Sequence, residues 1–383
     1  MRNPNRLSVA LLVETSLGSG REILRGICDY AHQIDRWQLF HAARGLHDGM
    51  PDWMEGWRGD GIIARVQDRH TADALLGFGR PVVDVLGVAE DCGIPLVHVD
   101  DRAIAAEVAE HFAGRDFKNF GFYGIAGENW SERRREGFRD CCPAPASFHV
   151  FETGRGEGDG SAGSRGELRK WLRGLPKPIA LMVCSDQRGL AVVEACREEG
   201  IAVPERLAIV SVDNDELLCS ISSPQLSSVR AGHGRVGFEA ARILDSLMSG
   251  GDAPAEAVHV PPTGVVARRS SDVVAITDAA VANGLHHIHE NLASALTNES
   301  VARSAGVSRT AFQRRFRDAT GVTVREYLIA QRLRRAQRLI EDTDMSLAAI
   351  AERSGFRHQE YMGSVFKERL GVTPGSLRKN GVA

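Results

Sequence analysis

Val301-Ala302-Arg303-Ser304-Ala305-Gly306-Val307 recurs 49 residues later as Ile350-Ala351-Glu352-Arg353-Ser354-Gly355-Phe356, and Gly321-Val322-Thr323 recurs 50 residues later as Gly371-Val372-Thr373. One supersecondary unit is therefore present twice near the end of the chain. In each copy a small residue, Ala302 or Ala351, lets two helices cross closely, and a glycine, Gly306 or Gly355, suits the positive φ of a tight turn. Ser308 is placed to cap the second helix of the first copy. Along that helix Val307, Ala311, Phe312 and Phe316 form an apolar stripe, which leaves Arg309, Thr310, Gln313, Arg314 and Arg317 on the free face. In the second copy Phe356, Tyr361, Val365 and Phe366 are expected inside, with His358, Gln359, Glu360, Gly363, Ser364 and Lys367 outside. Between the copies, Val324–Glu341 reads as one long helix that sets their separation.

Long donors on the free face of a short helix suit phosphates and base edges, the pattern of a helix-turn-helix on duplex DNA. Charge points the same way. The whole chain of 383 residues carries a net −3, but from Gly284 onward 16 Lys and Arg face 10 Asp and Glu, a net +6 that leaves −9 upstream.

A chain of this length needs more than one hydrophobic core. With 43% hydrophobic and 25% charged residues it has the composition of a folded globular protein, not of a disordered or membrane-embedded one. No stretch reaches the length of apolar residues that a spanning helix needs. Its seven cysteines contain no CxxC pair, so neither a disulfide framework nor a zinc site is indicated. The basic start and the run Leu7 to Val13 have the outline of a short signal peptide, but Glu14 ends the run and no A-x-A site follows, which favours a buried strand and a cytoplasmic location.

Upstream of the repeat, short apolar runs alternate with amphipathic stretches, the signature of parallel sheets covered by helices. Strands are expected at Ser8–Val13, Gly61–Ala64, Pro81–Val85, Val97–Val99, Asn119–Tyr123, Ile179–Cys184, Leu207–Val212 and Leu226–Val229. Helices are expected at Arg21–Gln33, Arg102–Phe112, Glu132–Arg139, Glu167–Leu172, Arg188–Glu199 and Gly234–Met248. In such folds ligands bind beyond the carboxyl ends of the strands. The polar residues there are Thr15, Ser16 and Ser19; Asp100 and Asp101; Ser185, Asp186 and Gln187; and Asp213, Asn214 and Asp215. As a set they suit a polyhydroxylated ligand, whereas each singly also suits a helix cap.

The segments VDD at 99–101, RRREGF at 133–138, 184–216 and 227–244 resemble the sensor core of the lactose-repressor family, which has the periplasmic sugar-binding fold. The resemblance places Arg134, Asp186 and Asp213 in a cleft between two lobes, Arg134 holding sugar oxygens and Asp213 a hydroxyl pair. Trp130 either faces a pyranose ring or packs in the core. The full expected ligand set is Ser16, Arg21, Asp101, Trp130, Arg134, Asp186, Asp213 and Asn214. Unlike that family, this chain begins its sensor within the first ten residues. The C-terminal segment, with IAERSGF, YMGSVFK and LGVTP, resembles the AraC/XylS family. That implies that Thr310, Gln313 and Arg314 of one copy and Gln359, Glu360 and Ser364 of the other enter successive major grooves about 34 Å apart; the full expected DNA-binding set adds Ser308, Arg309, His358 and Lys367. Met362 stands where that family usually has Phe, and Gly363 where a longer polar residue is common.

The combination resembles the xylose-operon regulators. The expected architecture is a two-lobed α/β sensor over 1–271, a linker over 272–283 and an all-α double helix-turn-helix over 284–383. Lobe one covers about 6–115 and 224–250, and lobe two about 116–223 and 251–270. The resemblance implies an operator, a monosaccharide effector of the D-xylose type, RNA polymerase and a second copy of the chain as partners, and activation as the sign. No cofactor, metal or membrane partner is expected. A nucleotide-dependent α/β enzyme is the first alternative, since Leu17-Gly18-Ser19-Gly20 follows a strand, but position 23 is Ile where the third glycine of G-x-G-x-x-G would stand. A sugar-lining loop or plain turn fits better there. Gly154–Gly166 follows no phosphate-binding pattern and reads as a flexible surface loop, and His286, His287 and His289 lack a completing ligand and read as helix-surface residues. A sugar-binding transport protein is the second alternative and leaves the repeat unexplained.

Overall fold

The computed structural model describes residues 6–45, 48–89, 91–144, 146–154, 162–273, 275–294 and 296–380. The chain forms two compact units, Met1–Asp272 and Val273–Ala383.

The first unit runs β1 (Leu7–Leu12), α1 (Gly18–Ile34), β2 (Trp37–His41), β3 (Gly61–Ala64), α2 (Arg69–Leu76), β4 (Val82–Asp84), β5 (Val97–Val99), α3 (Asp101–Phe112), β6 (Asn119–Ile125) and α4 (Asn129–Cys141). It continues through β7 (Ser147–Thr153), α5 (Ala162–Gly174), β8 (Ile179–Val183), α6 (Asp186–Glu198), β9 (Leu207–Val212), α7 (Glu216–Ile221), β10 (Ser227–Val229), α8 (His233–Met248), β11 (Val258–Val260) and β12 (Val265–Val266). The first sheet has the order β2-β1-β3-β4 and continues through a bridge from Asp84 to Leu96 into the pair β5-β11. The second has the order β12-β10-β9-β8-β6-β7, with only β12 antiparallel. These are two doubly wound sheets with their helices on the faces. Central strands such as β8 and β9 are buried at every residue, as continuous apolar runs require when both faces are covered.

Strand pairing moves the expected lobe boundaries. α3 packs on α4 of the second lobe, with Gly137 admitting Ala105, so the chain crosses at Asp100 and not near 115. β10 lies in the second sheet beside β9, whereas 224–250 was expected in lobe one. β11 pairs with β5 in the first lobe, whereas 251–270 was expected in lobe two. The reason is that the chain crosses between lobes three times, and the three crossings bond to one another: Asp100 N to Val260 O at 2.8 Å, Arg230 N to Gly264 O at 3.0 Å and Thr263 N to Arg230 O at 2.9 Å. Gly232 (φ 90°) and Gly264 (φ 108°) supply the left-handed turns that these crossings need. α1 and α8 meet through glycine faces: a Cβ on Gly26 would stand 1.8 Å from the Gly234 carbonyl oxygen, and one on Gly237 2.0 Å from that of Ile23.

Two loop expectations are also corrected. Gly18–Gly20 form the first turn of α1 and not a loop, and α5 begins at Ala162, inside the glycine-rich run; 155–161 of that run fall outside the described residues.

The second unit is helical: α9 (Ala279–Glu290), α10 (Asn298–Ser304), α11 (Arg309–Thr320), α12 (Val324–Asp342), α13 (Leu347–Arg353), α14 (Gln359–Leu370) and α15 (Pro374–Asn380). It starts earlier than expected, because Ile276, Ala280 and Val281 already belong to its core, so the segment to 283 is not a linker. α12 serves two cores. Val324 and Leu328 join Phe312 and Phe316 in the first, and Leu333, Ala336 and Ile340 join Phe356, Met362 and Phe366 in the second. Nineteen residues of α-helix span about 28 Å, which sets the spacing of the two cores.

Candidate ligand cleft and DNA-binding surface

In the first unit, polar groups converge where the carboxyl ends of the two sheets face each other. Glu14 follows β1 and Arg65 follows β3; they pair at 2.7 Å with side chains only 2% and 8% exposed. Arg65 also donates to Ser19 Oγ at 3.1 Å. Gly20 is required beside them, since a Cβ there would stand 2.1 Å from the Glu14 carbonyl oxygen. Across the cleft Arg134 donates from Nε to Asp101 at 2.9 Å and from its terminal nitrogen to the Cys184 carbonyl at 2.7 Å. Arg133 donates to the other Asp101 oxygen at 3.2 Å, and His98 Nε2 lies 3.6 Å from it. Burial pushes His98 down to about 3, with Asp101 opposing and Arg134, His233 and Arg65 adding to the effect.

The expected ligand residues divide into those that join this cluster and those with work elsewhere. Asp101 and Arg134 join it. Trp130 stacks under the Arg134 guanidinium at 4.9 Å, and its indole nitrogen donates to Glu128 at 2.9 Å. Asp213 holds His233 Nε2 at 3.0 Å, a bond between lobes. Asp186 is occupied by the protein itself: Ser211 Oγ (2.5 Å), Ser228 Oγ (2.6 Å) and the Asp215 amide (2.6 Å) all donate to it. Burial, with Asp213 next, pushes its carboxyl up to about 7. Asn214 accepts from Arg268 at 2.9 Å. Ser16 is exposed, and its carbonyl accepts from Arg21 at 3.2 Å. Arg21 spends its guanidinium on that carbonyl, on Thr15 O and on Asp215 at 2.9 Å, which ties α1 to the loop after β9. Asn129, donating to Gly87 O at 2.7 Å, makes a further tie between lobes. Asp100 and Asp215 prove to be the helix caps that their residue type suggested.

Glu14, Arg65, His98, Arg188 and His233 were not among the expected residues. Glu14 and Arg65 obey the strand-end rule, although in the sequence Glu14 reads as the end of an apolar run. Arg188, 6% exposed, lies in the first turn of α6 and donates to Thr153 Oγ1 at 3.3 Å. Four buried atoms around the cleft have no hydrogen-bond partner among the described residues: Arg65 Nε, His98 Nε2, Ser185 Oγ and Arg188 Nε. Buried polar atoms are nearly always paired, so this concentration marks a place for a polar ligand. Asp213 (φ 110°) and Asn214 (φ 52°) are consecutive left-handed non-glycine residues, a strain typical of binding sites. A second concavity, between β7 and α5, is lined by Phe151, Trp171 and Leu175 together with His149, Glu167 and Lys170.

In the second unit, α10 and α11 and then α13 and α14 form the two helix-turn-helix copies. The turn glycines have φ of 71° at Gly306 and 83° at Gly355. Arg309, Thr310, Gln313 and Arg314 are exposed on α11, as are Gln359, Glu360, Ser364 and Lys367 on α14 and His358 just before it. Ser308 is exposed but caps α11 through the Ala311 amide. Tyr361, expected inside, is 43% exposed and packs edge-on to Phe356, while Met362 fills the interior position instead.

A two-lobed, hinged sensor followed by paired recognition helices defines a ligand-responsive transcription regulator. Residues 109–271 match the periplasmic binding protein-like domain, and 301–380 match the helix-turn-helix domain. The chain is a transcription regulator with a periplasmic-binding-protein-like sensor and an AraC-type helix-turn-helix domain. It is similar to the xylose operon regulatory proteins of Escherichia coli (strain K12), at 28% identity over 97% of both chains, and of Haemophilus influenzae, at 27% over 97% of this chain and 98% of the relative. Among solved structures it resembles one titled "structure of xylose-binding transcription activator xylR", at 26% identity and a TM-score of 0.85 over 99% of each chain. The sensor alone resembles the transcription regulator CcpA of Lactococcus lactis in fold, at 20% identity and a TM-score of 0.56, covering 70% of this chain.

Proposed function

We propose that this regulator binds a pentose of the D-xylose type in the cleft between its lobes and, when loaded, activates transcription from a duplex operator. The observation that carries the reading is the group of buried, unpartnered polar atoms on Arg65, His98, Ser185 and Arg188. They are two guanidinium N–H groups, an imidazole nitrogen and a hydroxyl, which together suit the ring and hydroxyl oxygens of a small sugar. Asp101 and Arg134 orient the ligand, Asp213 accepts from a hydroxyl pair, and Trp130 backs the Arg134 guanidinium. Asp186 holds the floor of the site through Ser211, Ser228 and the Asp215 amide. The similarity to a xylose-binding activator over nearly the whole chain supports both the ligand and the sign. Sugar that bridges the lobes favours the closed state, and only such differential binding shifts an equilibrium. The regulator works in the cytoplasm as a homodimer on its operator, and RNA polymerase is its further partner.

Calorimetric titration of the full chain with D-xylose, L-arabinose, D-ribose and D-glucose tests this. D-xylose binding that is lost in Asp213→Ala, with DNA affinity retained, is the expected result. No heat with any pentose refutes the ligand assignment.

A further inference from the structure

The segment entering the DNA-binding unit is fastened at one residue that serves two helices. Asp278 Oδ1 caps α9 by accepting from the amides of Ala280 (2.9 Å) and Val281 (3.2 Å). The same carboxylate takes the fork of Arg315, Nε to Oδ2 at 2.5 Å and the terminal nitrogen to Oδ1 at 2.7 Å. Arg315 lies on α11, the first recognition helix, next to Arg314.

The internal repeat shows what is special about this position. Matching Phe312 to Met362 and Phe316 to Phe366 puts Arg315 in register with Val365, which is 4% exposed in the core of the second copy. In that copy the position is ordinary apolar packing. In the first copy an arginine takes it, and its partner comes from the stretch that leads in from the sensor, whose unit ends at Asp272. The helix leading into the second copy is continuous α12, whereas α9 begins right at Asp278. The ion pair is partly exposed, with side chains 39% and 23% accessible, so it adds little to stability, while its bidentate geometry fixes orientation.

We propose that Asp278 and Arg315 are a positioning pair that delivers the state of the sensor to the first recognition helix. The pair makes the DNA-facing side of α11 depend on where the chain enters α9. This rests on the reading of the chain as sugar-responsive.

The test uses the full chain, a duplex selected by the wild type from a random library, and D-xylose. Asp278→Asn keeps a capping oxygen and removes the charge; Arg315→Met keeps the stem and the helix propensity. Each variant is expected to bind the duplex without sugar within threefold of wild type. Each should lose about tenfold of the ratio between affinities with and without D-xylose, with Arg315→Lys recovering part. Hydrogen exchange without sugar should rise along α11 in both main variants, while Ala280 and Val281, still capped by residue 278, stay protected. A ratio equal to that of the wild type, or unchanged exchange in α11, overturns the pairing. A wild type that responds to no pentose refutes the preceding proposal instead, and the exchange measurement then decides this one alone.

Discussion

His98 shows how the cleft trades solvation for specificity. Its folded value of about 3 lies below the ordinary 6.5, so the fold holds it neutral. Above pH 6.5 neither the folded nor the unfolded state binds a proton there. Below it the unfolded chain does and the folded one refuses until about pH 3, so this stability is lost as pH falls, at about 1.4 kcal/mol per pH unit. Asp186 works oppositely. Raised to about 7, its carboxyl binds a proton in the fold that the unfolded chain releases near 3.8, so its contribution is lost as pH rises through 7. The difference between His98→Gln and wild type cancels the Asp186 effect. Urea unfolding should show the variant gaining about 2 kcal/mol relative to wild type between pH 6.5 and 5. A difference independent of pH removes His98 from the buried cluster. At this scale the sequence was partly legible. Asp101 and Asp213 follow strands, and Asp101 joins the polar cluster while Asp213 holds His233; Arg134 lies inside α4, where only the family resemblance pointed to it. Asp186 and Asn214 obey the strand-end rule, yet their oxygens are taken by Ser211, Ser228 and Arg268, partners 25 to 54 residues away that no local pattern reveals. His98 escaped notice because it lies inside a strand.

Elements were legible in proportion to their burial. Central strands read as unbroken apolar runs, and β3, β5 and β9 have the expected bounds. The strands not foreseen, β2, β7, β11 and β12, all lie at sheet edges, where one flank lacks a neighbour and the residues mix polar and apolar types. The repeat made α11 and α14 readable directly. On α11, Arg314→Ala should weaken binding to a selected duplex by about 1–3 kcal/mol if it reads a base. Uniform weakening across unrelated duplexes would assign it to phosphate. The contact of α1 with α8 leads to another prediction. Gly26→Ala places a methyl against the Gly234 carbonyl, a backbone atom that cannot rotate aside, and overpacking of this kind costs about 1–3 kcal/mol. A variant with wild-type unfolding free energy would show that the helices separate freely.

Over the whole sensor, Arg21 to Asp215, His233 to Asp213 and Asn129 to Gly87 tie the two lobes to each other. Arg21→Ala leaves the Asp215 cap of α7 in place and removes one tie. It should enlarge the radius of gyration measured by X-ray scattering without sugar and weaken D-xylose binding severalfold, with sugar-free DNA affinity unchanged. An unaltered scattering profile and unaltered sugar affinity would mean that the remaining ties suffice.

The three crossings also set an order of assembly during synthesis. All of the second lobe except its antiparallel edge strand and the turn Arg269–Ser271 is continuous from α3 to β10, so it has nearly its full complement once residue 229 has left the ribosome. The first lobe, although made first, waits for α8 to cover α1 and for β11 to complete its sheet. A nascent chain paused before residue 233 therefore exposes the apolar face of α1 and the free edge of β5, and it is there, at the beginning of the protein, that a chaperone has something to hold.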